Sequence, residues 1–194
     1  DGTPLVERSF RMELDWGPEA SVYTLTDGKH ADVTQPYLLC GHLDRLVSFL
    51  GGTYPMDHKT TKSTIGSYYF DQYEPNNQMT LYTITTKVIF NVPIKGVIID
   101  AAQIAVSFSA FARGFTYRTP SQLEEWLKDL HYWLDFAERC ATDNYWPMND
   151  TACFNCQFNH HDTKICAKDP AVRRAFLESS FTQDSPWNPL LTRN

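Results

Sequence analysis

The sequence predicts an α/β fold, a mixed central sheet flanked by helices, and three observations predict it. Residues 9–16 alternate apolar and charged side chains strictly, as a half-buried strand does. Two strand-like runs, 37–49 and 53–60, flank the turn-forming pair Gly51-Gly52. Thr119-Pro120-Ser121-Gln122 supplies an N-cap, a proline for the first turn and a capping-box glutamine, followed by an apolar stripe at helical spacing.

Taken in order, residues 9–16 place Phe10, Met12, Leu14 and Trp16 on one face and Arg11, Glu13 and Asp15 on the other. Residues 18–35 are poorly patterned, with 22–25 a candidate strand before a turn containing Gly28. Within 37–49, Leu39, Leu43 and Val47 share one face and Cys40, His42 and Asp44 the other, and 53–60 return antiparallel. Residues 62–77 are polar and aromatic and read as a loop. Residues 78–90 are ambiguous: their Thr, Ile and Val content favours a strand, whereas Asn76-Asn77 can cap a helix. Residues 97–105 and 108–117 read as two further strands.

The helix after Pro120 carries Leu123, Trp126, Leu127, Leu130, Trp133, Leu134, Ala137 and Cys140 on one stripe, which predicts packing on the sheet. A Cys-rich segment, 145–170, follows, and Asp169-Pro170 opens a last helix before an irregular tail. With 194 residues, 42% hydrophobic and 21% charged, the chain has material for one sizeable core, so a single domain spanning 1–194 is expected.

The hairpin carries the chemistry. If Gly51-Gly52 closes a two-residue turn, Asp44 lies opposite Lys59, and Asp57 projects from the same face as Lys59. A lone Asp/Lys pair would be an ordinary surface ion pair. Two carboxylates beside an ammonium instead make a hard-oxygen site for a divalent cation, with a positive group over it. On the same alternation His42 shares Asp44's face, as a polar neighbour in the groove.

A net charge of −6 counts against a general nucleic-acid binder. It does not exclude a metal-dependent nuclease, whose ligands are acidic and whose substrate sits in a local groove. Lys59, Lys62, Lys87, Lys95, Arg113 and Arg118 are candidates to line one, although any one of them is more often a solvated charge. No run approaches the roughly 20 apolar residues that span a bilayer, so no membrane contact is expected. There is no secretory signal pattern, and a first residue of Asp1 rather than Met points to a fragment or a processed chain.

Five cysteines, three of them at Cys153, Cys156 and Cys166, do not make a secreted disulfide framework; they point to a reducing, cytoplasmic setting. Cys153-x2-Cys156-x4-His161-x4-Cys166 has the spacing of a zinc knuckle, with His160 where a glycine usually precedes the histidine. Reduced thiols without metal are the plain alternative. Cys40 and Cys140 read as core thiols.

Gly41-His42-Leu43-Asp44-Arg45, then Asp57-His58-Lys59-Thr60, then Gln78-Met79-Thr80-Leu81-Tyr82 resemble, in order and spacing, the motifs G-x-x-D-R, D-x-K-T and Q-x-x-x-Y. These belong to the RecB-like branch of the PD-(D/E)XK nuclease superfamily, and the flanks look like its phage-type exonucleases. The resemblance covers roughly residues 5–170 and implies a restriction-endonuclease-like core. It implies that Asp44 and Asp57 bind Mg²⁺ or Mn²⁺ with the backbone carbonyl of His58, and that Lys59 activates the attacking water. Gln78 and Tyr82 would position nucleic acid and the lysine from a helix, which settles 78–90 as helical. Glu7 resembles an upstream acidic position and reads equally well as a surface acid. Some members bind an iron–sulfur cluster through three C-terminal cysteines and one distant cysteine, with Cys140 or a residue of a part upstream of Asp1 as the candidate fourth ligand, which leaves zinc and cluster both open. The implied function is DNA hydrolysis, as an exonuclease in phage or bacterial recombination, with DNA as substrate and a recombination protein as a candidate partner. A non-catalytic nucleic-acid-binding or scaffolding protein on the same fold is the alternative.

Overall fold

The structure is a computed structural model and describes residues 5–14, 21–24, 30–33, 37–156 and 164–185. The chain forms two compact units, Asp1–Phe136 with Thr192–Asn194, and Ala137–Leu191.

The first unit is built on a five-stranded sheet in the order β1-β4-β5-β6-β7, from β1 (Leu5–Leu14), β4 (Tyr37–Phe49), β5 (Gly52–Thr61), β6 (Val97–Ile104) and β7 (Ser109–Thr116). All neighbours run antiparallel except β5 and β6, which are parallel, so the sheet is mixed as expected. A parallel pair needs a crossover, and helices α1 (Ser67–Asp71) and α2 (Asn77–Phe90) supply it. Strands β2 (Ser21–Thr24) and β3 (His30–Val33) pair antiparallel in a small separate sheet. The strand expected at 22–25 is therefore present, one residue earlier, while residues 15 and 16 of the first expected strand lie outside the described residues.

The hairpin closes at Leu50-Gly51 and not at Gly51-Gly52. Phe49 faces Gly52 and Arg45 faces Met56, and the two central residues both have positive φ, 45° at Leu50 and 68° at Gly51. That is the primed-turn geometry whose twist matches the strands. The register is displaced by two residues from the expected one, which brings Asp44 level with Asp57 and not with Lys59. A shift of two preserves which face each β5 side chain takes, so Asp57 and Lys59 still project together.

Alternation breaks on β4. Val97 and Ile99 join one core cluster and Ile98 the other, so the two clusters lie on opposite faces of the sheet. Leu43 packs with Phe10, Met79, Tyr82 and Ile99, whereas Val47 packs with Tyr54 and Met56 on the other face. Leu43 and Val47 should share a face, so the strand changes face between them, where the Glu7–Asp44 pairing is missing from a β1–β4 register that is otherwise unbroken. Gly41 is required just before this point: a Cβ there would stand 2.5 Å from Cζ of Phe10.

α2 is helical, although its composition favours a strand. Asn76 caps it, its side chain accepting from the backbone N–H groups of Gln78 and Met79, and Asn91 ends it in the left-handed region. Thr80, Thr83 and Thr85 donate to the carbonyls four residues back. Each hydroxyl is thereby satisfied in place, which lets a threonine-rich helix bury Thr83, Thr85 and Met79 against the sheet. α2 contacts β1, β5 and β6.

The expected loop 62–77 contains α1, and its Tyr69, Phe70 and Tyr73 pack on the core. α3 (Pro120–Thr142) starts on the expected capping box, with Thr119 N–H donating to Gln122 Oε1 and Gln122 N–H to Thr119 Oγ1. Its apolar stripe does not pack as expected: only Cys140 is buried, Leu123, Trp126, Leu127, Leu130 and Leu134 are half-buried, and Trp133 is exposed. The helix that covers the sheet beside the hairpin is α2.

In the second unit, short 3-10 turns at Asp150–Asn155 and Ile165–Ala167 precede α4 (Pro170–Ser180). Asp169 caps α4, and Arg173 reaches back to the carbonyls of Cys166 and Lys168. Among the described residues no helix is long and apolar enough to cross a membrane.

Candidate active site

Three elements bring the site together: the middle of β4, the second half of β5 and the first turns of α2. Asp57 is 1% exposed, at the level where β5 passes from pairing with β4 to pairing with β6 alone. The Lys59 ammonium stands 2.7 Å from Asp57 Oδ2 and donates to Gln78 Oε1 at 3.0 Å. The Gln78 amide nitrogen donates to Asp57 Oδ1 at 3.2 Å and to Tyr82 Oη at 2.8 Å. The Tyr82 hydroxyl in turn donates to the backbone carbonyl of His42 at 3.0 Å. Gln78 and Tyr82, four apart on α2, share a face only because the segment is helical.

This chain of bonds leaves little freedom. The Gln78 amide has two N–H donors, and both are used. Its oxygen is given to Lys59, so the orientation of the amide is set by the network. An ammonium carries three N–H donors, and Asp57 and Gln78 engage two. The third remains for an incoming oxygen, and the Lys59 side chain, 28% exposed, reaches both the network and solvent.

Asp44 is half-buried, and its Oδ2 accepts from the backbone N–H of His58 at 2.8 Å. Its charge bears on Asp57, where it raises the pKa. Asp57 is held above the usual carboxylate range chiefly by burial; Lys59 and His58 pull it down without cancelling that effect. Burial also raises the Tyr82 phenol, with both carboxylates adding to the shift, so it stays a hydrogen-bond donor. Asp57 Oδ2 is buried and has no hydrogen bond of good geometry, only the ion pair with Lys59. A carboxylate oxygen with one cationic partner keeps a lone pair that can ligate a cation.

Among the described residues no three His, Cys, Asp or Glu side chains form a metal-binding group. The pair Asp44 and Asp57 suits Mg²⁺ or Mn²⁺ nonetheless, since Mg²⁺ is held through one or two carboxylates with waters and substrate phosphate completing the shell.

Other expected positions fall elsewhere. His42 does not share Asp44's face: it pairs with Ser9, bonding its hydroxyl through Nδ1 at 2.9 Å, on the side opposite Phe10 and Leu43. The face change on β4 separates the two. Glu7 falls between the pairs Val6–Arg45 and Arg8–Leu43, which puts its backbone level with Asp44; its side chain lies outside the described structure. Arg113 is tied to Asp100, which also holds His58, in a row across β5, β6 and β7 on the opposite face from Lys59. Arg118 bonds Thr80 and the carbonyls of Tyr73 and Tyr117, so it braces the crossover and lines no groove beside Lys59.

Of the residues expected to form a zinc knuckle, Cys156 is half-buried and Cys166 exposed, both free thiols, while His161 and the Cys153 side chain lie outside the described residues. Cys140 is a buried free thiol of α3. Sequence reasoning missed α1; the aromatic run Tyr68-Tyr69-Phe70, followed by Tyr73, was the signal available for it. Compared with known proteins, the chain matches no family model and no curated protein.

Proposed function

We propose that this protein is a divalent-metal-dependent deoxyribonuclease, acting as an exonuclease on the pattern of the RecB-like PD-(D/E)XK enzymes its motifs resemble. The observation that carries the reading is Asp57: a buried carboxylate whose Oδ2 is met by the Lys59 ammonium alone, beside Asp44 and against a lysine that keeps one donor unused. Asp44 and Asp57 would hold the metal with the His58 carbonyl, and when bound it would offset phosphate charge and lower the pKa of water. Lys59 orients the attacking water by its remaining N–H and stabilises negative charge developing on the phosphate. Gln78 holds Lys59 and Asp57 at their separation, and Tyr82 anchors Gln78 to the β4 backbone. Zinc at Cys153, Cys156, His161 and Cys166, or an iron–sulfur cluster on the three cysteines with Cys140, would serve structure, not chemistry.

The test is Mg²⁺- or Mn²⁺-dependent degradation of DNA. Asp57→Asn and Lys59→Ala should each abolish it, and Asp44→Asn should weaken Mn²⁺ binding measured by titration calorimetry. Cleavage near the parent rate by either of the first two variants removes these residues from the chemistry. A parent that binds DNA without metal-dependent cleavage is the scaffolding protein instead.

A further inference from the structure

Beside Lys59 lies a cavity of about 530 Å³. One wall is the end of β5 and the loop after it, with Thr60, Thr61, Ser63 and Thr64; the other is α1, with Tyr68 and Tyr69. The walls are braced. Ser63 N–H donates to Thr61 Oγ1, and Ile65 N–H donates to Gln103 Oε1 on β6. The Tyr69 ring stands edge-on to Phe70 and to Tyr73, with centroids 5.3 and 6.0 Å away. Tyr68 is different: it lines the cavity and is 88% exposed.

We propose that this cavity seats the unpaired terminal nucleotide of a DNA strand, its base stacked on Tyr68 and its sugar and phosphate against the threonine and serine hydroxyls. The proposal rests on the phosphodiesterase reading of Asp44, Asp57 and Lys59, and adds the form of the substrate. Lys59 belongs to both the carboxylate site and the cavity wall, so a strand whose scissile phosphate meets Lys59 has its neighbouring nucleoside at the cavity mouth. The volume falls within the roughly 300–1,000 Å³ typical of small-molecule pockets, room for a single nucleotide. A base inside a duplex shows its faces only to its stacked neighbours, and a paired terminal base brings its partner strand with it, so an unpaired terminal base fits this cavity best. Hydroxyl donors with a single lysine and no carboxylate among the lining residues suit sugar and phosphate contacts. An exposed aromatic ring beside them supplies sequence-tolerant stacking.

The experiment uses short single-stranded DNA carrying 2-aminopurine at its 5′ or 3′ terminal position, with Ca²⁺ in place of Mg²⁺ to hold the strand without turnover. Binding should quench the fluorophore at one of the two ends. Tyr68→Ala should weaken binding on the order of tenfold and abolish the quench, while Tyr68→Phe retains both. A blunt duplex carrying the same terminal base should show no quench. Unchanged affinity in Tyr68→Ala, or equal quenching by the blunt duplex, overturns the proposal. Hydrolysis of bis(p-nitrophenyl) phosphate by the parent with Mn²⁺ tests the underlying reading separately. Tyr68-dependent binding without that hydrolysis upholds the cavity and removes the nuclease; hydrolysis without Tyr68-dependent binding does the reverse.

Discussion

Burial and charge act in opposite directions on Asp57. Burial raises its pKa, Lys59 and His58 lower it, and the balance stays above the usual carboxylate range. The folded-state pKa therefore lies above the unfolded one. The stability linked to this group is complete at pH below the unfolded value and is lost as pH rises through the folded value. In metal-free buffer the Tm of Asp57→Asn relative to the parent should thus increase as pH rises from about 4 to 7, and thermal melts across that range check it. A difference that stays flat or falls with pH would mean that the carboxylate is stabilised where it stands. Gln78 makes a second residue-scale case, because all three of its side-chain hydrogen bonds lie within the site. Gln78→Leu should leave KM near the parent value and lower kcat by roughly 10- to 100-fold, as losing a group that orients a reacting residue does. A change confined to KM would give Gln78 a direct role on substrate. Asp44, Asp57 and Lys59 were legible in the sequence because a register error of two leaves the face of each β5 residue unchanged. His42 was misplaced because no residue in 37–49 announces that β4 changes face.

At the scale of elements, the hairpin and α2 show what local sequence conceals. Gly51-Gly52 is the obvious turn pair, yet the tight turn falls on Leu50-Gly51, which leaves a leucine with φ of 45°. Strand pairing outweighs the preference of one residue, since the chosen register pairs Val47 with Tyr54 and buries Tyr54 and Met56. Leu50 is 84% exposed, so replacing it forfeits little burial. Leu50→Gly should raise stability by up to about 1 kcal/mol, the left-handed cost relieved less the glycine's own entropy, and denaturant unfolding measures it. In α2 the reverse conflict holds: the threonines favour a strand, and the Asn76 cap with hydroxyl bonds to the preceding turn favours the helix. Asn76→Ala should cost about 1 kcal/mol. Because Gln78 stands in the first turn, it should lower activity more than an equal destabilisation placed in α3. Equal losses from the two would uncouple the cap from the site.

Across the whole molecule, the two candidate metal centres fall in different compact units. The hairpin belongs to the unit that ends at Phe136, and Cys153, Cys156, His161 and Cys166 to the unit Ala137–Leu191. The second unit has little else to order it: apart from Cys140, its described residues are half-buried or exposed, and α4 buries none of its side chains. Arg173, bonded to the Cys166 carbonyl, ties one end of the cysteine segment to α4. A bound ion would supply the cohesion that apolar burial does not. Zinc should appear as about one ion per colourless chain by elemental analysis, whereas brown protein containing iron would select the cluster and make Cys140 a ligand. In either case chelation, or Cys156→Ser, should increase hydrogen exchange over residues 145–170. Protection of the Asp44–Lys59 hairpin should stay as it was, because β4 and β5 are held by the sheet and α2 and not by the cysteines. Equal protection of the cysteine segment with and without chelator, in protein shown to be free of both metals, would identify these residues as plain thiols. Loss of protection at the hairpin would instead show that the two units fold as one.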